Sequence, residues 1–319
     1  MKNIIKGQLP HTLNNSTYDN LGRHYQGKVR DNYYIDDKIV MVTSDRVSAF
    51  DCVLGTIPFK GQILSEIAKF WFDKTSDIVP NHFIKSIDPQ VLLVHKAQPL
   101  PVEVIVRRYI TGSLWRDYQA SKHHVYDLPF RSDLEENEKF SKPILTPSTK
   151  EEYGKHDQPI SKKEIINQGL VSKEVYELAE KYALQLFQRG EEWAHQQGLI
   201  LVDTKYEFGL LDGKLIVIDE IHTPDSSRYF YLEGYEQKIT NGEQQKQLSK
   251  EFVRQWLIQN GFQGKEGQNM PEMSEDYCNS VSERYIELFE YITGDKFIKE
   301  DVSDVINRVE KNILNYLKA

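Results

Sequence analysis

Residues 199–210 read Leu-Ile-Leu-Val-Asp-Thr-Lys-Tyr-Glu-Phe-Gly-Leu, an apolar strand with a charge at each of positions 203, 205 and 207. Strand side chains alternate between faces, so Asp203, Lys205 and Glu207 share one face, while Val202, Thr204, Tyr206 and Phe208 share the other. Burying two carboxylates and an amine in one row is costly unless the charges meet metals, ligands or one another. A solvated amphipathic strand would need neither the minus, plus, minus order nor so apolar an approach from Leu199 to Val202. The pattern points to a functional site carried on a β-sheet.

The next residues make this strand one arm of a hairpin: Asp212-Gly213 is turn chemistry, and Lys-Leu-Ile-Val-Ile-Asp at 214–219 is a second strand. A two-residue turn would pair Leu211 with Lys214 and set Tyr206 opposite Asp219, facing Asp219 away from Glu207. A three-residue loop at 211–213, with Gly213 left-handed, would pair Lys205 with Asp219 and join Asp219 to the charged face. The three-residue form is expected, because strand carboxylates flanking a lysine suit a Mg²⁺–nucleotide site, where Mg²⁺ takes one or two carboxylates plus phosphate oxygens. Just beyond lies His222-Thr223-Pro224-Asp225-Ser226-Ser227-Arg228. It is ordinary loop chemistry by itself, but its position brings Arg228 into consideration.

Three earlier segments carry chemistry of the same kind. Residues 100–113, Leu-Pro-Val-Glu-Val-Ile-Val-Arg-Arg-Tyr-Ile-Thr-Gly-Ser, form a strand that delivers Arg107 and then a helix start at Thr111-Gly112-Ser113. Backbone N–H groups, the Ser113 hydroxyl and the Arg107 fork can together cradle a phosphate. Plain N-capping by Ser113 beside a solvated arginine fits the spacing equally well. Gly27-Lys28-Val29-Arg30-Asp31 sits in an N-terminal hairpin. Its glycine would allow close approach of phosphates, with Lys28 and Arg30 supplying charge. The spacing is not that of a P-loop, and a hairpin folded over a nucleotide is the nearer analogue, although a basic surface turn reads the same way. Thr146-Pro147-Ser148-Thr149-Lys150 could be linker.

The whole chain sets limits on these readings. Its 319 residues suffice for about two domains, and 48 acidic against 40 basic residues leave a charge of −8, which argues against nucleic acid as a partner. No apolar run approaches the roughly 20 residues of a membrane helix. The opening MKNIIKGQLPH lacks the apolar core of a secretory signal, and a cytoplasmic protein is expected. Cys52 and Cys278 are far apart and without ligand spacing, so neither zinc nor a disulfide framework is expected.

Apolar periodicity predicts a helix at 62–73, short strands near 83–86 and 91–95, and a helix from an N-cap at Ser172 towards Gly198. Val175, Ala179, Tyr182, Leu186 and Trp193 are expected to face inwards on that long helix. The proline-bearing stretch 127–160 reads as a long loop. Three helices close the chain, one carrying Leu248, Phe252 and Trp256, one running from about Ser274 to Gly294, and one over 302–317. Strands come early and in hairpins, which favours α+β over a doubly wound parallel sheet. The turn-rich HKAQPLP at 95–101 marks the expected boundary between a hairpin-rich domain at 1–98 and a larger α+β domain at 99–319.

The runs 100–113 and Leu201-Val202-Asp203-Thr204-Lys205-Tyr206-Glu207-Phe208-Gly209 resemble the two signatures of the phosphoribosylaminoimidazole-succinocarboxamide synthase (SAICAR synthetase) family. The resemblance continues, in the family's order, through 27–31, Ser44-Asp45-Arg46-Val47-Ser48-Ala49-Phe50-Asp51, 146–150 and 219–228, and the segment at 273–288 is similar to the longer, yeast-like branch. It implies an α+β fold with a small kinase-like antiparallel domain, a larger domain and an ATP cleft between them. It implies an ATP-dependent ligase of purine biosynthesis that joins carboxyaminoimidazole ribonucleotide to L-aspartate through an acyl phosphate. By that resemblance Glu207 and Asp219 hold Mg²⁺ on ATP; Gly27, Lys28 and Arg30 cover the nucleotide, and the hinge ending at Glu103 receives adenine. Arg107, Ser113 and Arg228 grip the ribonucleotide phosphate, Asp203 the ribose and Lys205 the reacting carboxylate, with Lys150 and Ser48 near the substrates. A monomer with small-molecule substrates and no nucleic-acid or membrane partner is expected. The residues alone leave open a small-molecule kinase, or a nucleotide-binding module without turnover.

Overall fold

The computed structural model describes residues 2–18, 21–151 and 157–318. The chain divides into two compact units, the first formed by Met1–Asp73, His82–Lys96 and Phe252–Ala319, the second by Lys74–Asn81 and Ala97–Glu251. The switch at 96/97 lies beside the expected boundary at 98, but residues from Phe252 onward join the first unit instead of the second. Among the described residues no helix is long and apolar enough to cross a membrane.

The first unit begins with α1 (Lys2–Ile5), followed by β1 (Arg23–Gln26), β2 (Arg30–Ile35), β3 (Lys38–Thr43), β4 (Arg46–Ala49), β5 (Cys52–Thr56), α2 (Lys60–Lys74), β6 (Phe83–Asp88) and β7 (Val91–His95). An antiparallel sheet runs in the order β1-β2-β3-β7-β6, and β4 and β5 make a separate hairpin. The expected helix and the two expected short strands are therefore present; β7 keeps its expected span, while α2 and β6 run further.

The second unit holds β8 (Gln98–Tyr109), α3 (Gly112–Gln119), β9 (Lys139–Leu145), β10 (Ser148–Thr149), α4 (Lys162–Asn167), α5 (Lys173–Gln196), β11 (Leu199–Leu211), β12 (Lys214–Ile218), β13 (Ser227–Tyr231), α6 (Tyr235–Asn241) and β14 (Gln247–Leu248). The stretch 127–160 is thus not loop throughout, because β9 and β10 both pair with β8; residues 152–156 lie outside the described residues. Leu248 belongs to a strand and not to the helix expected around it. The chain ends in α7 (Glu251–Gln259), α8 (Glu275–Thr293) and α9 (Val305–Lys318).

α9 explains why the C-terminus joins the first unit. Val305, Val309 and Ile313 recur every four residues as one apolar stripe, and they pack with Tyr33, Val40, Val42, Val91 and Leu93 of the sheet. Each such side chain removed from water stabilises the packing by roughly 1.5–3 kcal/mol. Arg308 adds polar specificity through a two-pronged contact with Asp88, Nε to Oδ2 and Nη2 to Oδ1, both at 3.1 Å. A charge at Val309 would remove the centre of that stripe.

In the second unit β11 is the central strand, flanked by β8 on one side and by β12 and β13 on the other. The Ser172 hydroxyl accepts from Val175 N at 3.3 Å and starts α5 as expected. The buried face of α5 is rotated from the expected one: Tyr176, Ala179, Ala183, Leu186, Phe187, Gly190 and Ala194 are inside, while Val175, Tyr182 and Trp193 lie on its half-buried flanks. Small residues let α5 approach the sheet closely, and a Cβ at Gly190 would collide with His222 and Leu201. His222 in turn lies against Tyr206, whose hydroxyl is 2.5 Å from His222 Nε2. α5 therefore covers the Tyr206 face of β11, and the face carrying Asp203, Lys205 and Glu207 is the opposite one.

Candidate active site

The site of the second unit is built from cross-strand neighbours. β8 and β11 pair with Asp203 opposite Arg107, Lys205 opposite Ile105 and Glu207 opposite Glu103, while β13 sets Arg228 opposite Asp203 from the other side. Directly opposed residues in an antiparallel pair project to the same face. One surface of the sheet thus carries two charge clusters, an arginine cluster around Asp203 and a lysine cluster around Glu207.

In the arginine cluster, Asp203 Oδ2 accepts from Arg107 Nη1 at 2.8 Å and from Arg228 Nη1 at 2.5 Å. Arg107 also donates Nε to Thr146 Oγ1 at 2.7 Å and Nη2 to Ser113 Oγ at 3.2 Å. Arg228 Nη2 donates to Glu251 Oε2 at 3.2 Å. The helix after β8 begins two residues earlier than capping by Ser113 would place it. Thr111 is the N-cap residue, without a side-chain cap bond, and the Ser113 hydroxyl faces Arg107 instead of capping. Gly112 sits at φ 59°, a conformation that favours glycine, and a Cβ there would displace the Arg228 guanidinium. Two forks with five donors each therefore converge beside a helix start, an arrangement suited to an oxyanion with several acceptor atoms.

The lysine cluster alternates in sign. Lys205 Nζ donates to Glu103 Oε1 at 2.7 Å and to Glu207 Oε1 at 2.6 Å. Lys150 pairs with Glu207 Oε2, and Ser148 Oγ donates to Glu103 Oε2 at 3.2 Å. Burial by itself would raise the Glu207 pKa, but Lys205 and Lys150 outweigh it and hold this carboxyl well below the usual carboxylate range. Glu103 shares one lysine and faces the Glu207 charge, so desolvation wins there and its pKa is raised. Burial works against charge on Lys205 too, yet Glu103, Glu207 and Asp219 keep its ammonium protonated far above its ordinary range. Lys150 behaves likewise, with burial opposed by Glu207 and Asp219.

The hairpin register differs from the expected one and is corrected by the strand pairing. β11 and β12 pair Leu211 with Lys214 and Glu207 with Ile218, the two-residue form, with Asp212 at φ 50° and Gly213 at φ 75°. Such a turn matches the right-handed twist of the strands, whereas the three-residue loop would have needed a bulge. Asp219 nevertheless acts on both lysines. The reason is local: the ladder stops at Ile218, and Asp219 itself is left-handed at φ 66°, so it no longer obeys strand alternation. Extrapolating the pleat past the strand end therefore could not locate this carboxylate.

Glu103, expected at an adenine hinge, is a buried partner of Lys205. Glu251 and Thr146 complete the arginine cluster and were not anticipated; Glu251 lies 23 residues from Arg228, with no local pattern linking them. Gly27, Lys28, Arg30 and Ser48 belong to the first unit. Lys28 forms an ion pair with Asp51 at the β4–β5 turn, and Ser48 is buried on β4 opposite Val53. A Cβ on Gly27 would stand 2.9 Å from Arg30 O, so the β1–β2 turn closes only around glycine.

Comparison with known proteins converges on one family. The SAICAR synthetase profile matches residues 23–271. The phosphoribosylaminoimidazole-succinocarboxamide synthase of Bacteroides thetaiotaomicron is 55% identical over 295 residues, covering 92% of this chain and 94% of that protein. A solved SAICAR synthase from Saccharomyces cerevisiae, in complex with SAICAR, superposes with a TM-score of 0.76 at 34% identity, covering 90% of this chain and all of that one. A SAICAR synthetase solved with ADP gives 0.66 at 26% identity over 87% of this chain and 100% of its own. With a profile match over most of its length and more than half of its residues shared with a curated relative, the chain belongs to the SAICAR synthetase family.

Proposed function

We propose that the protein is an ATP-dependent ligase that joins the carboxylate of carboxyaminoimidazole ribonucleotide to the amine of L-aspartate, giving the succinocarboxamide, ADP and phosphate. The observation that carries this reading is the division of one sheet face into a two-arginine cluster and a carboxylate–lysine cluster, two strand positions apart on β11. The structural relatives solved with SAICAR and with ADP support it.

Arg107, Ser113 and Arg228 bind the ribonucleotide phosphate. Asp203 holds both guanidiniums in place through Oδ2 and takes the ribose hydroxyls with its other oxygen. This fixes the base end of the substrate over Lys205. A free carboxylate is a poor electrophile, so it is first converted to an acyl phosphate by the γ-phosphoryl group of ATP, and ADP leaves. Lys205 and Lys150 neutralise the carboxylate and the approaching phosphates, because like charges would otherwise repel across the reacting atoms. The aspartate amine then attacks the acyl carbon, the amide C–N bond forms, and phosphate departs with the electrons of the C–O bond. Lys28 and Arg30 supply charge to the nucleotide phosphates, with Ser48 assigned near aspartate.

The donor set fits Mg²⁺. Glu207 stays ionised and Asp219 joins it beside the same lysines, and Mg²⁺ binds through one or two carboxylates with phosphate oxygens and water. When bound, an ion held by Glu207 and Asp219 would withdraw negative charge from the phosphates. An ADP-release assay with each substrate omitted in turn tests the function. Release that requires both ribonucleotide and aspartate is expected; release that persists at full rate without aspartate would identify a kinase instead.

A further inference from the structure

We propose that Arg46, backed by Asp31, and Ser44 are positioning residues that aim the turn at residues 27–30, and thereby set the affinity for ATP. The inference rests on reading that turn as a cover for the nucleotide phosphates. Arg46 is fully buried on a short hairpin strand, where an arginine would ordinarily reach water.

All five guanidinium hydrogens have acceptors within the protein. Nη2 donates to Gly27 O at 3.1 Å and to Asp31 Oδ1 at 2.5 Å, and Nε donates to Lys28 O at 3.2 Å. Nη1 donates to Asp31 Oδ2 at 3.2 Å and to Asn14 O. Ser44 takes the next carbonyl, donating to Val29 O from its backbone N at 2.9 Å and from its hydroxyl at 2.5 Å. Asp31 is itself braced by Ser16, whose hydroxyl donates to Oδ2 at 2.8 Å. Three successive carbonyls of the turn are thus drawn inward by two side chains of the segment 44–46.

That inward pull fixes the outward chemistry. In a trans peptide the N–H points opposite to the preceding C=O, and the described chain contains no cis peptide bond. With the Gly27 and Lys28 carbonyls held by Arg46, the amides of Lys28 and Val29 face away from it. Adjacent amides turned outward beside a lysine form an anion-binding concavity. Arg46 has no donor left to touch a phosphate and acts only through the turn. This assigns a use to Arg46 and Ser44 that no feature of the reaction itself demands.

The test is steady-state kinetics of Arg46→Lys and Ser44→Ala, with Lys28→Ala as reference and thermal unfolding as the fold check. Lysine keeps a charge for Asp31 but lacks the planar fork whose five donors are spread over three nitrogens. Arg46→Lys should raise the KM for ATP about tenfold, and Ser44→Ala about threefold, as loss of one or two hydrogen bonds implies. The KM values for ribonucleotide and aspartate should move less than about twofold, a split that a general loss of structure would not produce. An unchanged ATP KM in both folded variants, or an equal rise in all three constants, overturns the proposal. If Lys28→Ala raises the ATP KM in that case, only the positioning inference fails; if it too has no effect, the reading of the turn as a nucleotide cover fails with it. Should Arg46→Lys not fold, Ser44→Ala decides by the same criterion.

Discussion

Replacing Asp203 with asparagine tests the arginine cluster most directly. Arg107 and Arg228 contribute two positive charges and Asp203 and Glu251 two negative ones, so the buried cluster is neutral as a whole. Asp203→Asn keeps the shape, removes one carboxylate and leaves a net positive charge where solvent hardly reaches. Removing one partner of a buried ion pair costs about 3–5 kcal/mol. Glu251 still serves Arg228, and Thr146 and Ser113 still serve Arg107, which argues for the lower end, about 3 kcal/mol. For a unit of this size each kcal/mol lowers the midpoint by about 2–4 °C, so a drop of about 6–12 °C is expected in thermal unfolding. Because the variant carries uncompensated positive charge, inorganic phosphate should raise its midpoint more than it raises the wild type's. A drop under about 2 °C, or an equal response of both proteins to phosphate, would refute the argument that Asp203 neutralises a phosphate-gripping pair.

Glu207→Gln and Asp219→Asn should each reduce kcat by at least about a hundredfold; near-normal turnover of either would remove its metal and charge-balancing role. Glu207→Gln should also lower stability, because Lys150 loses its carboxylate partner while Glu103 continues to hold Lys205. Arg107→Ala should raise the KM for the ribonucleotide, through loss of charge-assisted bonds of about 1.5–3 kcal/mol, and leave the KM for ATP close to normal; the reverse pattern would reassign the arginine. A pH test addresses the first unit, where burial, opposed by the Gln62 amide and reinforced by Glu300, pushes Glu66 up to about 7. The folded protein therefore keeps a proton that the unfolded chain releases near pH 4.3, so stability falls as pH rises between about 4.3 and 7. Denaturant unfolding should show Glu66→Gln losing about 2–3 kcal/mol less than the wild type between pH 5 and 8; parallel curves would show that Glu66 is not desolvated.

The charged row of β11 was legible because alternation is a local rule, and the structure keeps Asp203, Lys205 and Glu207 on one face. Elements with strong end signals were legible for the same reason, as with Ser172 at the start of α5 and Ser274 and Gly294 at the ends of α8. The inward face of α5 was legible only at Ala179 and Leu186, because its burial follows small residues such as Ala183 and Gly190, which weigh little in an apolar pattern yet decide how near the sheet can come. The C-terminal helices were legible as helices but not in their destination, since an amphipathic helix specifies only that some apolar surface must cover it.

The amino-acid sequence by itself determined the secondary-structure period, the placement of charge on β11 and the signature runs that mark the family, because each depends on residues close together in the chain. Only the tertiary structure decided the partners: Glu103 with Lys205, Glu251 with Arg228, and Arg46 beneath the turn at residues 27–30. It also decided the position of Asp219, which a left-handed residue at a strand end returns to the lysines after the register had turned it away. Pairings between distant residues follow from sheet order and strand ends, and these are settled by packing of the whole unit rather than by any one segment.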